Sequence, residues 1–223
     1  MGQTRQLRAA DGFTLGAYEA LPEGKPKGGV VVVQEIFGVN VHIREVCEGY
    51  AARGYAAIAP QIFDRVERDV ELGYEGADME RGIAIARGQL EMDKALIDIQ
   101  AAIDEAGKQG KVGVVGYCFG GLMAWLSACS LDNVACASAY YGGGIGGQTD
   151  NPARCPVIMH FGELDAHIPM SEVDAIRSAL PDVTVYVYDA DHGFNCDHRA
   201  SFNAAAAELA RQRTLEFFAE NLR

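Results

Sequence analysis

The stretch KVGVVGYCFGGLMAWLSAC, residues 111–129, decides how this chain is read. A β-branched apolar run meets Gly116-Tyr117-Cys118-Phe119-Gly120, and an apolar helical segment follows at 122–129. The pattern is G-x-S-x-G with Cys118 in the place of serine, the spacing of a strand-to-helix nucleophile elbow. Such a turn holds its central residue in a strained conformation. Its neighbours must be small because a Cβ there collides with adjacent backbone. It also sets Cys118 at a helix N-terminus, whose positive end favours a thiolate. The competing interpretation is a Gly-rich turn with an inert, packed cysteine.

Working outward, strands and helices alternate on both sides of this elbow. Residues 5–20 predict two strands about Asp11-Gly12, a strong hairpin dipeptide. GGVVVVQ at 28–34 and YAAIAP at 55–60 read as strands buried on both faces, separated by a helix from Asn40 to Arg53 that Gly54 stops. The polar segment 61–80 predicts a surface loop, and the apolar spacing over 82–106 predicts one long helix. Strands follow at 134–140, 156–162 and 183–189, with helices at 171–180 and 203–222. This order predicts one α/β domain over 1–223: a mostly parallel central sheet with an N-terminal antiparallel hairpin and helices on both faces.

Composition narrows the class of function. The chain has 223 residues, 49% hydrophobic and 22% charged, with a net charge of −12, which excludes disorder and argues against nucleic acid or an anionic membrane as partner. No apolar run reaches the ~18 residues of a membrane span, and Met1–Leu15 lacks a signal-peptide core. These features point to the cytosol, where the six cysteines are expected to be reduced.

Ligands of such sheets bind at the carboxyl ends of the strands. For this elbow the expected chain order is nucleophile, acid, histidine. The strand at 156–162 runs into Glu163-Leu164-Asp165, and the last strand runs into Asp191-His192-Gly193-Phe194. His192 is therefore the candidate base and Asp165 the residue that orients it, with Glu163, Asp189 and Asp191 as rivals. His42, His160 and His167 read as surface or packing residues, and His198 as solvated. After the first long strand, Gln34-Glu35-Ile36-Phe37-Gly38-Val39-Asn40 offers the Ile36 N–H beside that of Phe119 as an oxyanion hole. Phe37 is a candidate substrate contact. Glu35 by itself reads as an exposed turn residue in a surface ion pair. Gly142–Gly147 lacks any phosphate-loop or dinucleotide pattern and reads as a rim, on which Tyr141 either lines the site or packs. Cys196–His198 and His160–His167 supply metal-ligating side chains, but at no zinc-like spacing, so neither metal nor cofactor is expected.

QEIFGVN at 34–40, GYCFGG at 116–121, the Asp of GELDAHIP at 162–169 and the His of DHGF at 191–194 together resemble the dienelactone hydrolase (carboxymethylenebutenolidase) family of α/β-hydrolases. The likeness runs to QRTLEFF at 212–218. It implies cofactor-free hydrolysis of a small lactone or activated ester through an acyl-cysteine. Cys118 would attack, His192 would shuttle protons, Asp165 would orient His192, and Glu35 would pair with the resting thiol. The family's Arg four residues after the catalytic His is replaced here by Cys196, with Arg199 three residues further on. A second family Arg, at the start of the long helix, corresponds to Arg81 or Arg87. Arg81, Tyr141, Cys196 and Arg199 are thus expected around the substrate of a monomeric enzyme. Two alternatives remain open at this level: a non-catalytic binding member of the same fold, and a reversible Cys118–Cys196 disulfide, which requires Cα atoms within about 7 Å.

Overall fold

Gln3–Arg8 (β1) and Thr14–Ala20 (β2) pair antiparallel, and β2 pairs antiparallel in turn with Ala56–Pro60 (β4) in the computed structural model, which describes residues 2–223. Gly29–Val33 (β3) lies parallel between β4 and Val112–Tyr117 (β5). Val134–Tyr140 (β6), Val157–Gly162 (β7) and Thr184–Tyr188 (β8) continue the sheet, all parallel. The strand order is β1-β2-β4-β3-β5-β6-β7-β8. This is the sheet expected from the order of elements. Every residue of β3, β4 and β5 is buried, which is why their sequences are near-continuous apolar runs rather than alternating ones.

Among the described residues six α-helices flank the sheet: Val41–Ala51 (α1), Gly76–Ala84 (α2), Met92–Ala106 (α3), Phe119–Ser130 (α4), Met170–Ala179 (α5) and Ala204–Asn221 (α6). At the entry to β3, a side chain on Gly28 would run into Leu222, just beyond α6, and one on Gly29 into Ala106 of α3. Successive strand residues face opposite sides, so α6 and α3 cover opposite faces. The Asn40 side chain accepts from the Ile43 N–H at 3.3 Å to start α1, and Asn203 does the same for Ala206 at 3.1 Å to start α6.

The expected single helix over 82–106 is interrupted. α2 ends in a π-helical turn at Ile85–Gln89, Leu90 is extended (φ −81°, ψ 121°), and the helix restarts at Met92. At Gly82 the helix lies so close to the Ile36 carbonyl that a Cβ would sit 2.2 Å from its oxygen. Ile85, Leu90, Ala95 and Ile99 are buried on both sides of the break, whereas Ile83 is exposed. The apolar spacing therefore registers burial and is blind to the lost hydrogen-bond continuity. Segment 61–80, expected as a surface loop, is tied down by a 3₁₀ turn at Ile62–Arg65 and by buried Phe63, Val70 and Leu72.

Two polar clusters lock the layers. Arg65 holds fully buried Asp98 of α3 through Nε at 2.9 Å and Nη2 at 2.6 Å, and reaches Asp11 in the β1–β2 turn at 2.7 Å. His160 of β7 bonds Tyr188 at 2.8 Å and Thr214 of α6 at 3.1 Å, so it is a core residue. No helix among the described residues is long and apolar enough to cross a membrane.

Candidate active site

Cys118 occupies the corner between β5 and α4 with φ +54° and ψ −116°, a conformation costly for a residue with a Cβ. The corner is held by the Cys118 N–H on the Tyr140 carbonyl at 3.0 Å and by the Gly121 N–H on the Cys118 carbonyl at 2.9 Å. A Cβ on Gly116 would lie 1.8 Å from the Gly120 oxygen, and one on Gly120 would lie 2.3 Å from the Val33 oxygen. Glycine at both positions is what lets helix, strand and neighbouring strand close on this side chain.

The loops after β7 and β8 meet beside the sulfur. Asp165 is buried, and its Oδ2 accepts from His192 Nδ1 at 2.7 Å. Its Oδ1 accepts from the His167 and Ile168 backbone N–H groups at 2.8 and 3.2 Å, so the carboxylate cannot swing away. Burial disfavours the imidazolium of His192, but its hydrogen bonds to Asp165 and Cys118 and their negative charge outweigh that, pushing His192 up to about 10. Of the rivals, Glu163, Asp189 and Asp191 are all exposed, and Asp191 bonds only the His192 backbone, at 2.6 Å. His167, exposed, sets its ring edge-on to His192 at 5.3 Å.

Glu35 departs from both of its sequence readings. It is buried rather than on an exposed turn, and its Oε1 faces Arg199 Nη1 at 3.4 Å, while Oε2 has no hydrogen-bond partner and does not bond the Cys118 thiol. A guanidinium offers a buried carboxylate full countercharge, which a neutral thiol does not. Arg199 arrives by successive three-residue turns, with Cys196 N–H on the Gly193 carbonyl at 2.9 Å and Arg199 N–H on the Cys196 carbonyl at 3.1 Å. These turns carry the guanidinium back over Gly193 and above the rings of Phe37 and Tyr74 at 5.7 and 5.8 Å.

Tyr141 is fully buried, with φ +36°, its ring centre 5.1 Å from that of His192 and its hydroxyl unpartnered. Burial and then the Glu35 charge hold this phenol well above its usual range. The Ile36 N–H has no acceptor among the described residues, and the Phe119 N–H opens α4, where no helix carbonyl can reach it. Arg81 is exposed on α2 and ion-paired with Glu67, and Arg87 is exposed beyond it.

Cys196 is buried among Tyr74, Glu35 and His42, and all six cysteines are free thiols. Burial and the Glu35 charge push the Cys196 thiol up to about 12, which suppresses the thiolate that exchange with Cys118 would need. His42, taken from sequence as surface or packing, is buried, with Nδ1 3.3 Å from Asp197. Neither His42 nor Tyr74 carries any signal in sequence spacing; they lie 76 and 44 positions before Cys118 and reach the site only through the fold. Potential metal-ligating atoms converge in two groups that share His42: Glu35, His42 and Cys196, and His42, Glu45, Asp197 and His198.

Comparison with known proteins adds to this geometry. The dienelactone hydrolase family model matches residues 15–222. A provisionally named carboxymethylenebutenolidase of Synechocystis sp. is 38% identical over 87% of this chain and 86% of its own. A carboxymethylenebutenolidase of Pseudomonas putida is 34% identical over 96% of this chain and 94% of its own. The crystal structure of a provisionally named dienelactone hydrolase from Klebsiella pneumoniae superposes with a TM-score of 0.87 at 29% identity, covering 99% of both chains.

Proposed function

The chain belongs to the dienelactone hydrolase family, and is thereby a hydrolase of lactones or esters; on that premise we propose that it works through Cys118, His192 and Asp165 on a small substrate carrying a carboxylate. The observation that carries this reading is the 2.7 Å hydrogen bond from buried Asp165 to His192, set against a cysteine held at a strained elbow.

Asp165 keeps the His192 proton on Nδ1 and stabilises the imidazolium, leaving Nε2 for the sulfur and the substrate. Through neutrality His192 already holds the proton taken from Cys118, so the pair rests as imidazolium and thiolate. The sulfur attacks the acyl carbon while the Ile36 and Phe119 N–H groups receive the developing oxyanion. The C–O bond breaks and the leaving oxygen takes the proton from His192. Water, deprotonated by His192, then cleaves the thioester, releasing the acid and restoring the thiolate and imidazolium. Arg199, with Glu35 behind it and aromatic rings beneath, is the group that binds the substrate's carboxylate. No observation in the site favours a purely binding role.

Purified protein is expected to hydrolyse enol-lactones and p-nitrophenyl acetate. Cys118→Ala should abolish both activities, and Cys118→Ser should leave a much slower enzyme. Turnover undiminished in Cys118→Ala would refute the proposal.

A further inference from the structure

Of the two groups of ligand atoms that share His42, the one holding Glu35 belongs to the candidate active site, where Arg199 already meets that carboxylate. The other lies outside it. His42 and Glu45 are three residues apart on α1, and so on one face of it, while Asp197 and His198 are consecutive in the turns after β8. All four ligand atoms lie within 4.8 Å of one another. His42 Nδ1 is 3.3 Å from Asp197 Oδ1, the same oxygen is 3.8 Å from His198 Nε2, and His198 Nε2 is 2.7 Å from Glu45 Oε2. Among the described residues, neither carboxylate is ion-paired with a lysine or arginine; imidazoles alone meet them.

His42 supplies an independent sign of a missing cation. It is 4% exposed, Nδ1 faces Asp197, and Nε2 has no hydrogen-bond partner. A neutral imidazole carries one proton. Placed on Nδ1 it serves Asp197 and leaves Nε2 buried and unpaired. Placed on Nε2 it leaves a bare Nδ1 lone pair 3.3 Å from a carboxylate oxygen. A cation on Nδ1 removes the conflict and frees Nε2–H for the unpartnered Glu35 Oε2, the carboxylate–histidine–metal arrangement.

We propose that His42, Glu45, Asp197 and His198 bind one zinc-like divalent transition-metal ion. Two carboxylates balance its charge, and two imidazoles select it over calcium and magnesium, which take oxygen. Four tetrahedral ligands at about 2.0–2.2 Å from a metal stand roughly 3.4 Å apart, a spacing that the contacts of 2.7, 3.3 and 3.8 Å straddle. His42, Glu45 and Asp197 also line a surface cavity of about 330 Å³, through which the ion is reached from solvent. Its guanidiniums are engaged elsewhere, Arg53 on the Gly49 carbonyl at 2.9 Å and Arg211 on Glu208. Bound there, the ion ties α1 to the turns that carry Arg199 and lead from β8 into α6. The proposal goes beyond the hydrolase reading and does not depend on it.

The test titrates Co²⁺ and then Zn²⁺ into reduced, chelator-treated full-length Cys118→Ala protein, so that the elbow thiol cannot contribute. One equivalent of Co²⁺ should bind with visible d–d absorption and no thiolate-to-cobalt band, and Zn²⁺ should displace it. His198→Gln and Glu45→Gln, both at exposed side chains outside the hydrolytic site, should each raise the Co²⁺ Kd roughly tenfold or more, since even a ligand's outer partners are worth that much. Zn²⁺ should raise the thermal unfolding midpoint of the parent protein and not that of His198→Gln. Circular dichroism of the metal-free variants controls for folding. Absence of saturable binding, a thiolate-to-cobalt band, binding at several adventitious sites that the variants leave unchanged, or a Kd unmoved in His198→Gln overturns the proposal.

Discussion

Arg199 and Glu35, 164 positions apart in sequence, meet at 3.4 Å as a largely buried ion pair beside the elbow. A guanidinium placed there is bound to a carboxylate from one side only, which leaves the rest of its donor fork free for a second carboxylate. Arg199→Met is therefore expected to lower kcat/KM for carboxylated lactones and esters by about 10–100-fold, the worth of a hydrogen bond to a charged group. Neutral esters should lose far less. Equal losses on both substrate types would show that Arg199 only supports the fold.

His192 also sets a pH dependence. Its ordinary value of 6.5 is raised to about 10, so the imidazolium that protonates the leaving oxygen persists through neutrality. The alkaline limb of kcat/KM should fall near pH 10. The stabilisation that the protonated ring contributes is whole below 6.5 and is lost as pH rises through about 10. Thermal unfolding from pH 7 to 10.5 should show that loss in the native protein and not in His192→Gln. An alkaline limb centred near 7 would contradict the assignment.

His160 acts at the opposite end of the scale. Burial, with the Arg213 charge, holds it down at about 3, so the folded protein refuses a proton that the unfolded chain accepts below 6.5. Stability present above 6.5 should drain away as pH falls towards 3, by up to about 1.4 kcal/mol per pH unit from this residue. Urea unfolding between pH 6.5 and 4 should show a shallower decline in His160→Gln than in the native protein.

Arg65 centres the other of the two locks. Its removal in Arg65→Met leaves the Asp98 carboxylate, at 0% side-chain exposure, without countercharge. The expected cost is about 3–5 kcal/mol in chemical denaturation. The double variant Arg65→Met/Asp98→Leu should recover much of it, because no buried charge then remains. Failure of the second substitution to rescue would show that packing, not charge, is what Arg65 supplies.

Much of this molecule is legible along the chain. GGVVVVQ and KVGVVGY announce strands buried on both faces, and those strands are wholly buried at the centre of the sheet. Asn40 and Gly54 bracket a helix that begins at Val41 and ends within a few residues of the glycine. Asp165 and His192 stand near strand ends, where a parallel sheet gathers side chains, but Glu163 and Asp189 follow those strands more directly, and it is burial in the fold that sets Asp165 apart. The single helix over 82–106 was the misleading feature. Its apolar spacing is real, but the backbone leaves the helix at Leu90, and Ile85, Leu90 and Ala95 stay buried across the break.

Legible along the chain is whatever depends on near neighbours: which segments are strands, where chain reversal needs glycine, and that a cysteine occupies the sharp corner. Local sterics and the period of burial are properties of a few consecutive residues. It takes the fold to bury Glu35 against Arg199 rather than leave it exposed or bonded to the thiol, and to bring His42 and Cys196 onto it. Those distances follow from the sheet order and from the tight turns after β8. A carboxylate's partner is then chosen by which charge the fold brings within reach, a quantity no spacing along the chain contains.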